Sequence, residues 1–92
     1  MVYIDDMNAP YRGMLMCHMI ADTHAELIEM ARKIGVNRKH IQKAGTRREH
    51  FDICATKKTI AVKNGAVSVT WRQLGNMVLS REAHWSEKYF SK

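Results

Sequence analysis

The sequence predicts a small single α/β domain with a short, at least partly parallel sheet and about three helices. Three observations predict it. The chain of 92 residues has length for one core only. Short β-branched or aromatic runs alternate with stretches of helical spacing in the order strand, helix, strand, helix, strand, helix. Thr23 and Thr70 each stand three residues before Glu26 or Gln73, a pairing that satisfies the free amides of a helix start.

Val2-Tyr3-Ile4 reads as a first strand that delivers Asp5 and Asp6 at its C-terminal end. Met7 to Gly13, with Asn8, Pro10 and Gly13, reads as a loop. Met14 to Ala21 is apolar apart from Cys17 and His18, and periodicity leaves strand and helix both open. In either conformation His18 and Asp22, four apart, share a face. From Thr23 a helix carries Leu27, Met30, Ala31 and Ile34 at helical spacing and stops at Gly35. His50-Phe51-Asp52-Ile53 alternates, so a strand there presents His50 and Asp52 together while Phe51 and Ile53 enter the core. Thr56 to Asn64 forms a short helix with Lys57, Lys58 and Lys63 outward and Ile60 and Ala61 inward, closed by Gly65. Ala66 to Val69 is a further strand, and Thr70 opens a helix through Leu74, Met77 and Val78, with Trp71 expected to pack on the sheet. Residues 1–79 thus make the domain, and residues 80–92 make a polar tail or terminal helix.

Hydrophobic residues at 46% and charged residues at 26% are the balance of a globular chain, which excludes disorder and fibrous classes. A domain this small is marginal alone or is helped by self-association into a homo-oligomer. No apolar run approaches the ~18 residues of a membrane span, and Asp5 and Asp6 stand where a secretory signal carries positive charge. The expectation is a cytoplasmic protein with no membrane partner. Cys17 and Cys54, beside seven methionines, then stay reduced as half-buried fillers, and neither has the near neighbours of a structural zinc site. Residues 1–29 hold five acids against Arg12 alone, whereas Arg32 to Arg48 holds seven basic residues and no acid. That stretch is either a surface for an anionic partner or a solvated loop.

The rim expected to carry function follows from these placements. Asp5, Asp6, His18 and Asp22 are the residue types that hold a divalent cation such as Mg²⁺ or Mn²⁺. His50 and Asp52 supply a catalytic pair, since an imidazole changes charge near neutral pH. Arg12, Arg47, Arg48, Lys57 and Lys58 supply charge for phosphate. Against this stands the structural alternative that Asp6 and Asp22 cap local elements and the histidines are satisfied core or surface groups.

The residues Val2-Tyr3-Ile4-Asp5-Asp6-Met7, Cys17-His18-Met19-Ile20-Ala21-Asp22 with Glu26-Leu27, His50-Phe51-Asp52-Ile53 and Gly65-Ala66 resemble the domain-of-unknown-function 4031 family over residues 2 to about 78. The resemblance implies a compact stand-alone domain of bacteria and phages, acting in the bacterial host cell, and brings no activity. Two departures are visible, for the family pattern places Ser at Cys17 and Tyr at Phe51.

Three functional classes are consistent with the residues. One is binding of a nucleotide or nucleic acid, extended by metal-assisted phosphoester hydrolysis. Another is binding of the same ligands without turnover. The third is a non-enzymatic inhibitor or anti-defence factor that docks a host protein through its charged face. No P-loop, dinucleotide-type glycine pattern or Gly-x-Ser-x-Gly elbow is present, so cofactor chemistry and serine hydrolysis have no support.

Overall fold

A computed structural model describes residues 1–81 of the chain. The elements are β1 (Val2–Ile4), β2 (Ala9–Tyr11), β3 (Met14–Ala21), α1 (His24–Ile34), β4 (Phe51–Cys54), α2 (Ala55–Lys63), β5 (Val67–Ser68) and α3 (Trp71–Ser80), with one turn of 3₁₀ helix at Arg38–His40. The expected tail of residues 80–92 lies outside the described residues beyond Arg81.

The open question at Met14–Ala21 resolves as a strand, and β3 organises the sheet. β1 runs antiparallel to its C-terminal half, with Val2 opposite Ala21. β2 runs antiparallel to its N-terminal half, with Tyr11 opposite Met14. β4 pairs with the middle of β3, Asp52 facing His18 and Ile53 facing Cys17. Met16 and Met19 are each paired on two sides, so β1 and β2 share one edge of β3 and β4 takes the other. β5 adds to β1 in parallel, giving a mixed sheet in an α/β domain. The sequence anticipated the parallel pair but read β2 as loop. Pro10 lacks a ladder donor and, with only three residues, β2 carries no periodicity to detect. Arg12 and Gly13, both at positive φ, make the two-residue turn into β3.

Alternation along the strands divides the sheet into two faces. Ile4, Cys17, Met19, Phe51 and Ile53 turn toward α1 and α2 and form the main core with Leu27, Met30, Ala31 and Ile34. The Thr23 hydroxyl oxygen accepts the Glu26 amide and Gly35 closes α1 in the left-handed region at φ 77°, as the sequence predicts. α2 starts one residue earlier than expected and buries Ala61, whereas Ile60 is 37% exposed. Lys63 faces outward as expected, but Lys57 and Lys58 turn inward. Lys57 and Lys58 are half-buried, Lys58 reaching the Asp5 carbonyl and Lys57 ending beside Gly35.

The opposite face carries Ile20 and, from the sites below, the polar residues. α3 lies across this face, its start fixed by a reciprocal capping box between Thr70 and Gln73. Leu74 is buried there, but Trp71 is 54% exposed, which corrects the expectation that it packs on the sheet. α3 stands off the sheet and leaves a cleft. Arg81 at its end donates to the carbonyls of Ala21 and Arg47, at 2.6 Å each, tying the helix to β3 and to the basic loop.

Candidate functional site

Cross-strand register decides the site. His18 on β3 and Asp52 on β4 are direct partners on the face opposite the main core. His50 lies two residues before Asp52, so it shares that face. The two imidazoles meet edge to face with centroids 5.4 Å apart. Asp52 Oδ1 lies 3.3 Å from His50 Nε2 and 3.7 Å from His18 Nε2. One ligand atom from each of the three residues falls within 4.8 Å of the others.

Each ring is oriented from behind. Asp5, 1% exposed at the end of β1, accepts from His18 Nδ1 at 2.8 Å, from the His18 amide at 2.9 Å and from the Met7 amide at 3.2 Å. His50 Nδ1 lies 2.7 Å from the Arg48 carbonyl, which can only accept, so Nδ1 carries the proton. With Nδ1 of both rings donating, Nε2 of each ring faces Asp52 Oδ1, and the neutral form of each ring offers it a lone pair. Gln42 Nε2 donates to the other Asp52 oxygen at 2.8 Å. In the neutral form those lone pairs and the carboxylate repel one another, and either a proton or a metal cation among them relieves the repulsion. Metal–ligand bonds of about 2.0–2.2 Å set neighbouring ligand atoms roughly 3–3.5 Å apart; the two Asp52–imidazole spacings, 3.3 and 3.7 Å, are close to that range, whereas the group as a whole lies within 4.8 Å. Two imidazoles and one carboxylate, each imidazole donating its Nδ1–H to a carboxylate or carbonyl, form a donor set for such an ion.

The basic stretch forms the wall beside this cluster. Gln42 and His50 exchange backbone hydrogen bonds, closing residues 43–49 into a loop. Glu49, 1% exposed, anchors it by accepting from His24 Nδ1 at 2.9 Å and the Gly45 amide at 3.3 Å. Lys43, Arg47 and Arg48 then border a cleft of about 520 Å³ with His18 and His50 on its floor. Trp71 and the apolar side of α3 form the far wall.

The residues expected at one rim are therefore divided. Asp5, His18, His50 and Asp52 come together, and Arg47 and Arg48 face them across the cleft. Asp6 accepts from the Trp71 amide at 2.7 Å and serves the N-terminus of α3. Asp22 does not meet Asp5, because β3 runs antiparallel to β1 and carries Asp22 to the opposite end. There it takes the Tyr3 hydroxyl at 3.2 Å and lies 3.5 Å from the N-terminal ammonium. Lys58 donates to the Asp5 carbonyl at 2.8 Å, pinning the end of β1. Lys57 ends beside Gly35, where a side chain's first carbon would lie 3.2 Å from Nζ, at the C-terminus of α1. Arg12 sits on the β2–β3 turn with its guanidinium 5.3 Å from the Tyr11 ring centre.

Sequence reasoning missed Gln42 and Glu49, and placed Lys43 only within the basic run. Gln42 reaches Asp52 only through pairing with His50, and Glu49 is the one acid that follows the basic run directly, a local signal that was present.

The family model described as a protein of unknown function, DUF4031, matches residues 2–81. This chain belongs to the DUF4031 family. No curated protein and no solved structure matches it. The two departures noted in the DUF4031 pattern, Cys17 and Phe51, are both buried on the core face. Cys17 Sγ donates to Asn8 Oδ1 at 3.2 Å, and neither residue belongs to the His18, His50 and Asp52 group of this DUF4031 member. No described helix is long and apolar enough to cross a membrane.

Proposed function

We propose that this DUF4031 protein binds a divalent cation at His18, His50 and Asp52 and uses it to hydrolyse a phosphoester in the adjoining cleft. The observation that carries the reading is the convergence of two backed imidazole nitrogens on one carboxylate oxygen, beside a loop bearing Lys43, Arg47 and Arg48. Nitrogen donors favour Mn²⁺ over Mg²⁺ in such a set.

His18, His50 and Asp52 would hold the ion, which would supply charge to polarise a phosphoryl oxygen and acidify a water. The protein's own groups do the rest. Asp5 holds the His18 ring and the Arg48 carbonyl holds the His50 ring, so neither must reorient when the ion enters. Lys43, Arg47 and Arg48 take the phosphate through charge-assisted hydrogen bonds. The same Arg48 thus serves the cluster through its backbone and the ligand through its side chain.

Calorimetric titration with Mn²⁺, followed by turnover of bis(p-nitrophenyl) phosphate, tests this. Wild type is expected to bind one ion and to turn over only with it, and His50→Ala or Asp52→Ala to lose both. Binding of nucleotides without turnover in the presence of Mn²⁺ would reduce the reading to a binder. Absence of both metal and nucleotide binding would transfer the case to a protein partner.

A further inference from the structure

Building on the metal-centred reading, we propose that the substrate is a single-stranded polynucleotide that crosses the His18, His50 and Asp52 cluster with a base held on either side. The cluster does not sit at the blind end of one pocket. It lies between two cavities that both include His18. The first is the cleft of about 520 Å³ already described. The second, of about 690 Å³, opens past Asp52 and Gln42 toward His40, Met16 and Tyr11. A mononucleotide requires one base site beside one phosphate site. A chain cut internally requires room on both sides of the scissile phosphate, and that is the arrangement here.

Each cavity also includes an exposed aromatic ring with an arginine over it. Trp71 in the first cavity and Tyr11 in the second are both 54% exposed. The Arg72 guanidinium lies 5.7 Å from the Trp71 ring centre, and Arg12 lies 5.3 Å from that of Tyr11. Stacking rings interleaved with cations are how proteins track a strand whose bases are unpaired and open, and a duplex offers no free base faces to such rings. Strand register places Tyr11 on the His18 face. It pairs with Met14, four residues along β3, hence about 13 Å from His18 at ~3.3 Å per residue. That separation suits a flanking nucleotide and exceeds the reach of the group bearing the scissile phosphate. The net charge of +6 supplies general attraction for a polyanion.

Fluorescence anisotropy with labelled twelve-nucleotide single-stranded DNA, its RNA counterpart, a duplex and a labelled mononucleotide tests the proposal, with Mn²⁺ calorimetry on the same samples. Single strands are expected to bind more tightly than duplex or mononucleotide, the DNA and RNA arms identifying the preferred sugar. Tyr11→Ala and Trp71→Ala are each expected to weaken single-strand binding roughly 5- to 150-fold, the loss of one stacked base, and Tyr11→Phe and Trp71→Phe to restore most of it. Mn²⁺ affinity stays unchanged in all four variants. Mn²⁺ binding accompanied by equal affinity for mononucleotide, duplex and single strand, or by alanine variants that bind the strand as wild type does, overturns the substrate assignment alone. Failure of wild type to bind Mn²⁺ overturns the reading on which it rests.

Discussion

Asp5 and His18 meet twice, the buried carboxylate accepting the imidazole Nδ1–H at 2.8 Å and the His18 backbone N–H at 2.9 Å. The two bonds fix ring and strand together, and they leave Nε2 aimed at Asp52. Asp5→Asn replaces one acceptor oxygen by an NH₂ group. Facing His18 Nδ1, that donor forces the ring to protonate Nε2 instead and removes a lone pair from the cluster. Mn²⁺ affinity is expected to fall about 10- to 100-fold by calorimetry while the fold persists. Unchanged affinity would deny Asp5 its orienting role.

Glu49 is a buried carboxylate that serves two donors, His24 Nδ1 and the Gly45 amide. Glu49→Ala strips both of this partner in a buried setting. Urea denaturation is expected to show a loss of about 1–3 kcal/mol, with Glu49→Gln losing less because an acceptor oxygen remains. A loss below the error of the measurement would show that the loop does not depend on this anchor.

Arg81 joins three parts of the molecule through the Ala21 and Arg47 carbonyls. Burial lowers its pKa, opposed by the charges of Glu49 and Asp22. Arg81→Ala is expected to destabilise by about 1–3 kcal/mol, discounted for partial solvent access, in the same denaturation assay. Arg81→Lys is expected to recover only part, since one ammonium lacks the fork that reaches two carbonyls.

The carboxyl of Glu26 is held below its ordinary value of 4.5, first by the N-terminal ammonium and then by the Thr23 hydroxyl. A carboxyl so lowered stabilises the fold above its unfolded value, and the contribution is lost as pH falls through the folded value. Glu26→Gln should therefore be less stable than wild type at neutral pH, with the gap closing as pH drops below about 4.5. A thermal-denaturation series across that range checks it, and a gap independent of pH would contradict it.

What the sequence reveals and conceals follows from the range of each interaction. α1 is legible from Thr23 to Gly35 because cap, apolar spacing and stop are all local. His50 and Asp52 are legible as a pair because strands alternate with a period of two. Their meeting with His18 is not, because it depends on β3 pairing with β4 in one register, and a slip of one residue would send His18 to the other face. The sequence groups Asp22 with Asp5 because one opens a helix and the other ends a strand, and the antiparallel pairing of β1 and β3 separates them. Lys57 and Lys58 look solvent-facing in sequence, yet the side of α2 that meets the sheet is set by tertiary packing around Ala61. The basic run reads as a loop, and the Gln42–His50 pairing, the buried Glu49 and Arg81 turn it into a wall.

The most direct test of the metal centre is calorimetric titration of wild type and Asp52→Ala with Mn²⁺. Asp52 is exposed enough to be replaced without emptying the core. The account predicts one ion bound per chain in wild type and none detectable in Asp52→Ala. Wild type that binds no ion, or a variant that binds as wild type does, would contradict it.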